Sequence, residues 1–307
     1  MTKKCPCTSN IVLIITTINL TCCFESNLNN ELSCKSAQGH ATMGFVISDI
    51  GDIRDIGPEK VQLIRSKLLE HAVVVVKNQT LTRKDQIDLS SKLGKIIVLP
   101  PSLEGNDPEP GYPAIQRVTN FFHNRTWKGK THCFGCYWHK DGDFQENGFM
   151  FSLLYADQVA NNKSSTNFLD NCEVLEKLNK STLQVLSDTV FAISVRDIPD
   201  FVNATEKDYL LFPKNKRYNG IYTHLGNGRK CAYVTGDLIT DAGYAPQLKP
   251  IFEEVTEKSV KYRHYWEQGD IVIWDNLGVM HRAGSKGGGA GPEDRTPRML
   301  FRTQSWI

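Results

Sequence analysis

Gly269-Asp270-Ile271-Val272-Ile273-Trp274-Asp275-Asn276 decides the fold, and His281-Arg282-Ala283 follows it a few residues later. A run of β-branched and aromatic residues, opened by glycine and closed by Asp-Asn, reads as a buried strand entering a polar turn. Such a strand can deliver the histidine after the turn to the mouth of a β-barrel. There His281 could complete a face of two histidines and one carboxylate, an arrangement that leaves three octahedral positions on Fe(II) open. The same histidine would serve equally as a packed core residue donating to a carbonyl.

Working outward, similar runs give candidate strands at Phe149–Ala156, Thr189–Val195, Ile221–His224, Lys230–Thr235, Val260–Trp266 and Arg298–Gln304. Gly226-Asn227-Gly228 supplies the positive-φ residues that a tight hairpin between two of them needs. Helices are expected over Asn171–Leu186 and Pro246–Lys258, from their spacing of Leu, Val, Ile and Phe. Towards the start, Pro58 to His71 reads as a helix with Val61, Ile64 and Leu68 on one face, and Ala72–Val76 as a buried strand. A second helix is expected from a Thr82 cap to Gly94, followed by a Pro-rich loop from Pro100 to Pro113. Many strands with long returns predict a mainly β fold with inserted helices, a jelly roll in one domain.

Two further places carry chemistry. In His139-Lys140-Asp141 an extended chain puts positions i and i+2 on one face, so His139 and Asp141 can hold adjacent positions on a metal while Lys140 points elsewhere. A single His-x-Asp is equally compatible with a surface turn. In Arg298-Met-Leu-Phe-Arg302 both arginines share a strand face; turned inward they require anions, for which a bidentate carboxylate is the natural partner. On an edge strand they would simply be solvated.

Composition narrows the function classes. The 307 residues are 40% hydrophobic and 23% charged, with Lys+Arg 36 against Asp+Glu 34 and a formal charge of +2, as in an ordinary globular protein. No basic excess exists to neutralise phosphates, so nucleic acid is not an expected partner. Nine cysteines is an odd number, and Cys5, Cys7, Cys22 and Cys23 crowd the first 23 residues, with Cys34 soon after. Lys3 and Lys4 ahead of Ile11-Val12-Leu13-Ile14-Ile15 have the pattern of a secretory or organellar leader, too short to span a bilayer. Residues 1–40 are therefore read as a leader or disordered tail, with a cytoplasmic chain as the other outcome, and 41–307 as the functional domain. Six Asn-x-Ser/Thr sites, at Asn19, Asn78, Asn124, Asn162, Asn179 and Asn203, would accept glycans if the chain were secreted. Cys133, Cys136, Cys172 and Cys231 are expected to form a reduced intracellular set. Gly287-Gly-Gly289 lacks the Lys-Ser/Thr of a phosphate loop and reads as a lid.

The order His139-x-Asp141, Thr166-Asn-Phe168, Trp274-Asp-Asn276, His281 and Arg298-x-x-x-Arg302 resembles the Fe(II)- and 2-oxoglutarate-dependent dioxygenases of the taurine dioxygenase type. The resemblance runs from about Gly44 to Gln304 and includes His71-Ala-Val-Val-Val-Val76 and Thr223-His224-Leu-Gly-Asn-Gly-Arg-Lys230. It implies a double-stranded β-helix of cupin-like form. It also implies His139, Asp141 and His281 as catalytic iron ligands, and Arg298 with Thr166 on the distal carboxylate of 2-oxoglutarate. Arg302 corresponds to the residue that meets an acidic group of the substrate, and Tyr137, Lys140 and Asn120 are further substrate-binding candidates. The implied reaction consumes dioxygen and 2-oxoglutarate, releases succinate and CO2, and oxidises a C–H bond of a small anionic substrate. Because Asp141 is present, chlorination is disfavoured and hydroxylation, desaturation or ring closure remain.

Departures from the family pattern bear on the substrate. Ile96-Ile-Val-Leu-Pro-Pro101 stands where taurine-specific members carry a histidine, and Cys133-Phe-Gly-Cys-Tyr137 where polar substrate contacts are usual. Taurine is therefore not expected. A carboxylate or amino-acid-like substrate, oxidised in specialised metabolism as in kainoid ring closure, is the expectation. Two other classes stay open at this stage: a zinc hydrolase on the same three residues, and a silent ligand-binding barrel. A homo-oligomer is compatible with the sequence, and stable membrane insertion is not expected.

Overall fold

The computed structural model describes residues 43–99, 107–119, 135, 137–145, 151–159, 164–194, 196, 205–212, 216–236, 248–284 and 298–306, together with the backbone of 34–36. The rest of the leader segment, Asn120, Cys133, Cys136, the glycine-rich lid and the sequons at Asn19, Asn124, Asn162 and Asn203 lie outside the described residues. The described residues belong to one compact unit, Ser33–Ile307.

Two sheets face each other. The larger runs in the order Cys34–Ser36, Phe45–Ile47, Val73–Val76, Ile271–Asp275, Phe151–Gln158, Met299–Trp306, Tyr112–Thr119, Pro108–Glu109, with Lys95–Ile96 also pairing Met299–Trp306. The smaller places Ser165–Asp170 between Lys261–Tyr265 and Val279–Ala283. Pairing is antiparallel except between Phe45–Ile47 and Val73–Val76, which the helix Pro58–His71 joins as a crossover. This is the mainly β double-stranded β-helix with inserted helices.

Register sorts the side chains. Gln116, Arg302, Leu154 and Val272 form one cross-strand row, and Gln304, Ser152 and Trp274 the next. Leu154, Val272, Trp274 and Leu300 pack with Phe168, Tyr262 and Val279 of the smaller sheet, so these rows face the space between the sheets. The alternate residues, Phe301 and Thr303, meet Gln86 and Ser90 of the helix Arg83–Leu93 outside it. That helix has the expected Thr82 cap, reinforced by Asp85 in a capping box. A register shift at Met299/Leu300 sets Ala156 and Gln158 against consecutive residues. The extra residue is thus Asp157, and the arginine strand keeps its alternation.

Several expectations need correction. The predicted helix over Asn171–Leu186 is a 3-10 turn, Glu173–Lys177, and a separate helix, Lys180–Asp188, because the Asn179 side chain accepts from Thr182 N–H and starts a new helix. The Pro-rich loop ends sooner than Pro113: Tyr112–Thr119 is a strand containing that proline. Of the glycines in the 226–228 turn, Gly228 takes a positive φ of 73°. Cys172 and Cys231 are not a reduced pair; they form a disulfide. Ala232 N–H donates to the Asn171 carbonyl, and this backbone contact brings together the neighbouring cysteines, which are 59 residues apart in the sequence. Among the described residues no helix is long and apolar enough to cross a membrane.

Candidate metal centre

His281 lies on Val279–Ala283 and His139 on a single antiparallel bridge beside it. His139 N–H donates to the His281 carbonyl at 3.1 Å and His281 N–H returns the bond at 2.9 Å. Asp141 follows in a turn. The chain can pass so close because Gly135 takes φ 69° and accepts from Ala283 N–H, where a Cβ would lie 3.2 Å from the His139 ring.

The donor atoms of His139, Asp141 and His281 all lie within 4.8 Å of one another. His139 Nε2 is 3.9 Å from Asp141 Oδ1 and His281 Nε2 is 3.7 Å from Asp141 Oδ2. These gaps are too long for hydrogen bonds. They are within the span of about 4.2 Å that one ion bonded at about 2.1 Å to each donor would bridge. His139 Nδ1 lies 2.8 Å from the Tyr137 carbonyl, which fixes the proton on Nδ1 and turns the Nε2 lone pair inward. Burial and the neighbouring His139 push the His281 pKa down to about 3, so its imidazole is neutral and able to coordinate. Burial alone would raise Asp141, but Arg302, the two histidines and a bond from Ser152 outweigh it and hold the carboxyl at about 2. Two imidazoles and a carboxylate with their donor atoms gathered this closely fit an iron site.

Around them, Ser152 Oγ donates to Asp141 Oδ2 at 3.0 Å, and Gln304 Nε2 to Ser152 Oγ at 3.4 Å. Arg302 donates through Nη1 to Asp141 Oδ1 at 2.8 Å and through Nε to Gln116 Oε1 at 2.7 Å. Thr166 is buried on Ser165–Asp170, its hydroxyl accepting from Trp266 Nε1 at 3.0 Å. Arg298 immediately precedes the strand that carries Arg302, and burial lowers its pKa. Tyr137 has its ring 5.2 Å from that of His139.

The Lys140 amine is buried, donating to Tyr222 Oη at 2.7 Å and to the Leu277 carbonyl at 2.6 Å. The i, i+2 alternation that aligns His139 with Asp141 sends the residue between them the other way. Ser152, Gln116 and Gln304 carried no role in the sequence reading. The available signal was a buried polar residue inside the apolar run Phe151-Ser-Leu-Leu-Tyr155, which demands a partner.

With this geometry established, the chain can be set beside known proteins. The model of the taurine catabolism dioxygenase TauD, TfdA family matches residues 36–304. The chain is 26% identical over 270 residues to an alpha-ketoglutarate-dependent 2,4-dichlorophenoxyacetate dioxygenase from Cupriavidus pinatubonensis, covering 79% of this chain and 89% of that one. A protein of the same description from Burkholderia sp. is 26% identical over 287 residues, covering 82% and 92%. Among solved structures, AAD-2 in complex with Mn(II) and N-oxalylglycine superposes with a TM-score of 0.69 at 22% identity, covering 89% of this chain and 96% of that one. A taurine dioxygenase from Burkholderia xenovorans also gives 0.69, at 19% identity, covering 90% and 89%.

Proposed function

The chain belongs to the taurine catabolism dioxygenase TauD, TfdA family and is a non-haem iron, 2-oxoglutarate-dependent dioxygenase, and on that premise we propose that it oxidises a C–H bond of a small carboxylate or amino-acid-like anion. When bound, Fe(II) and 2-oxoglutarate supply the dioxygen-dependent oxidation, with succinate and CO2 as coproducts. His139, Asp141 and His281 hold the ion. Thr166 and Arg298 take the distal carboxylate of 2-oxoglutarate, and Arg302 takes the acidic group of the substrate.

The observation that carries this reading is the placement of Arg302 beside the triad. A guanidinium has five donors; Gln116 and Asp141 use two, and among the described residues none accepts from Nη2. The remaining donors can receive an oxyanion in the planar, paired geometry that arginine favours. The relatives named for 2,4-dichlorophenoxyacetate act on a carboxylate. Phe168 and Trp274 pack beside His281, with ring centroids 6.2 and 4.8 Å from it, and make that side of the site apolar.

The test is succinate release from 2-oxoglutarate with Fe(II) and dioxygen across a panel of amino acids, dicarboxylate amino-acid precursors, aryloxyacetates and sulfonates. Stimulation by carboxylates, lost in Arg302→Ala with 2-oxoglutarate half-saturation kept, is the expected result. Stimulation by sulfonates or neutral compounds alone would overturn the substrate class. Hydroxylation, desaturation and ring closure are then separated by the product mass.

A further inference from the structure

We infer that Asn276 is a positioning residue for the metal site, clamping the backbone of Asp141 so that its carboxylate stands opposite the two histidines. The inference rests on the triad reading above and assigns a role to a side chain that touches no donor atom of the triad.

Asp141 lies in a turn, so no strand partners its peptide groups. The position is buried, and an unpaired backbone N–H and C=O there would each cost about 1–3 kcal/mol. Asn276 meets both. Asp141 N–H donates to Asn276 Oδ1 at 3.1 Å, and Asn276 Nδ2 donates to the Asp141 carbonyl at 2.7 Å. One edge of a carboxamide presents an N–H beside a C=O, as the backbone N–H and C=O of a single strand residue do, so the side chain reproduces the two-bond ring of an antiparallel pair. Two residues earlier His139 makes that ring in its ordinary form, with the backbone of His281. The His-x-Asp segment is thereby fastened twice to the chain that delivers His281, once through backbone and once through a side chain imitating it.

The clamp is itself held. Trp274 Nε1 lies 3.4 Å from Asn276 Oδ1. Asp275 Oδ1 accepts from Leu277 N–H at 3.0 Å, and Lys140, from between the two ligands, donates to the Leu277 carbonyl. Chemistry restricts the residue. Aspartate would set a second oxygen against the Asp141 carbonyl where Nδ2 now donates at 2.7 Å. Alanine would leave both backbone groups unmet.

The experiment is Mn(II) titration of the full chain, followed by the loss of the free-ion magnetic resonance signal, with melting temperature recorded with and without Mn(II). Asn276→Ala and the near-isosteric Asn276→Asp are expected to weaken Mn(II) binding about 10- to 100-fold, the usual effect of losing a partner that orients a ligand. They are also expected to shrink the Mn(II)-induced rise in melting temperature. A residue that only packs would lower both melting curves equally and leave the Mn(II) dissociation constant unchanged, and that result in Asn276→Asp overturns the inference. Asp141→Ala is the reference. If it binds Mn(II) like the native chain, the triad reading fails; if it loses Mn(II) while both Asn276 variants keep it, the clamp alone fails.

Discussion

Among the described residues three buried aspartates stand beside histidines, and their distances separate structure from chemistry. His224 Nε2 lies 2.7 Å from Asp275 Oδ2, and His264 Nε2 lies 3.0 Å from Asp270 Oδ2. At Asp141 the two histidines stand off at 3.7 and 3.9 Å. The first two pairs are closed, and neighbouring groups hold them. His224 Nδ1 accepts from Gly226 and Asn227 N–H, and Asp270 takes Lys77, which also reaches Glu267. The third is open, and His281 Nδ1 is buried with no hydrogen-bond partner among the described residues. Identical residue types thus make braces where they touch and a candidate ion site where they are held just apart.

The contrast breaks most sharply at the open pair. Asp141→Ala is expected to bring succinate production and Mn(II) binding to background while the far-ultraviolet circular dichroism spectrum is retained. Turnover that survives would remove Asp141 from the site.

Asp270→Asn is expected to do the reverse. Taking one charge from the closed cluster should cost about 3 kcal/mol, the lower part of the range for a broken buried pair, because Lys77 keeps Glu267. Turnover per folded molecule should be unchanged. The same cluster sets an acid limit. Burial raises Asp270, but His264 and Lys77 outweigh it and lower its pKa, so its contribution is present above the ordinary carboxylate value of 3.8 and lost as pH falls through the lower folded value. Burial lowers His264 despite Asp270, so below the ordinary 6.5 the unfolded chain takes up a proton that the folded chain resists. Both effects reduce stability towards acid, but the Asp270 effect acts below 3.8, so His264 governs the range above it; Asp270→Asn removes the carboxylate that raises His264, and melting temperature should fall more steeply from pH 7 to pH 4 in that variant. Equal slopes would show that the cluster does not govern the acid limit.

Next in size is the brace around Asp275. A Cβ on Gly278 would lie 3.3 Å from Asp275 Oδ2, 3.6 Å from Cys172 Sγ and 3.6 Å from the His224 ring, so the disulfide backs the closed His224–Asp275 pair. Reduction, or Cys172→Ser, should cost about 2–4 kcal/mol in denaturant unfolding. Its effect on Mn(II) affinity should be smaller than that of Asn276→Ala. A loss of affinity as large would mean that the closed brace and the open site are one mechanical unit.

Local pattern was enough for the strand Ile271–Asp275, the helix Pro58–His71 with its buried Val61, Ile64 and Leu68, and the capped start at Thr82. It was not enough for Tyr112–Thr119, where Pro113 argued against a strand, nor for the restart at Asn179, where a cap outweighs apolar spacing. At the site, His-x-Asp and His281 could be read from alternation. The clamp joins residues 135 apart, and nothing periodic marks Asn276 as the partner of Asp141. The cysteine count likewise carried parity but no pairing, since Cys172 and Cys231 meet through the backbone contact of their neighbours.

The smallest expected effect lies where the closed and open regions touch. Trp266 stacks edge-on against His264, with centroids 4.6 Å apart, and donates through Nε1 to Thr166 Oγ1. A hydroxyl that accepts on one lone pair still has its own hydrogen to give. The indole therefore turns Thr166 into a donor directed at another acceptor, the role proposed for it on the 2-oxoglutarate carboxylate. Trp266→Phe keeps most of the ring and removes the N–H. Half-saturation for 2-oxoglutarate should rise about 10-fold, equivalent to about 1.4 kcal/mol, with kcat and Mn(II) affinity little changed. A lower melting temperature with unchanged half-saturation would place Trp266 wholly in the closed region, as packing for His264, and would leave the orientation of Thr166 to the strand alone.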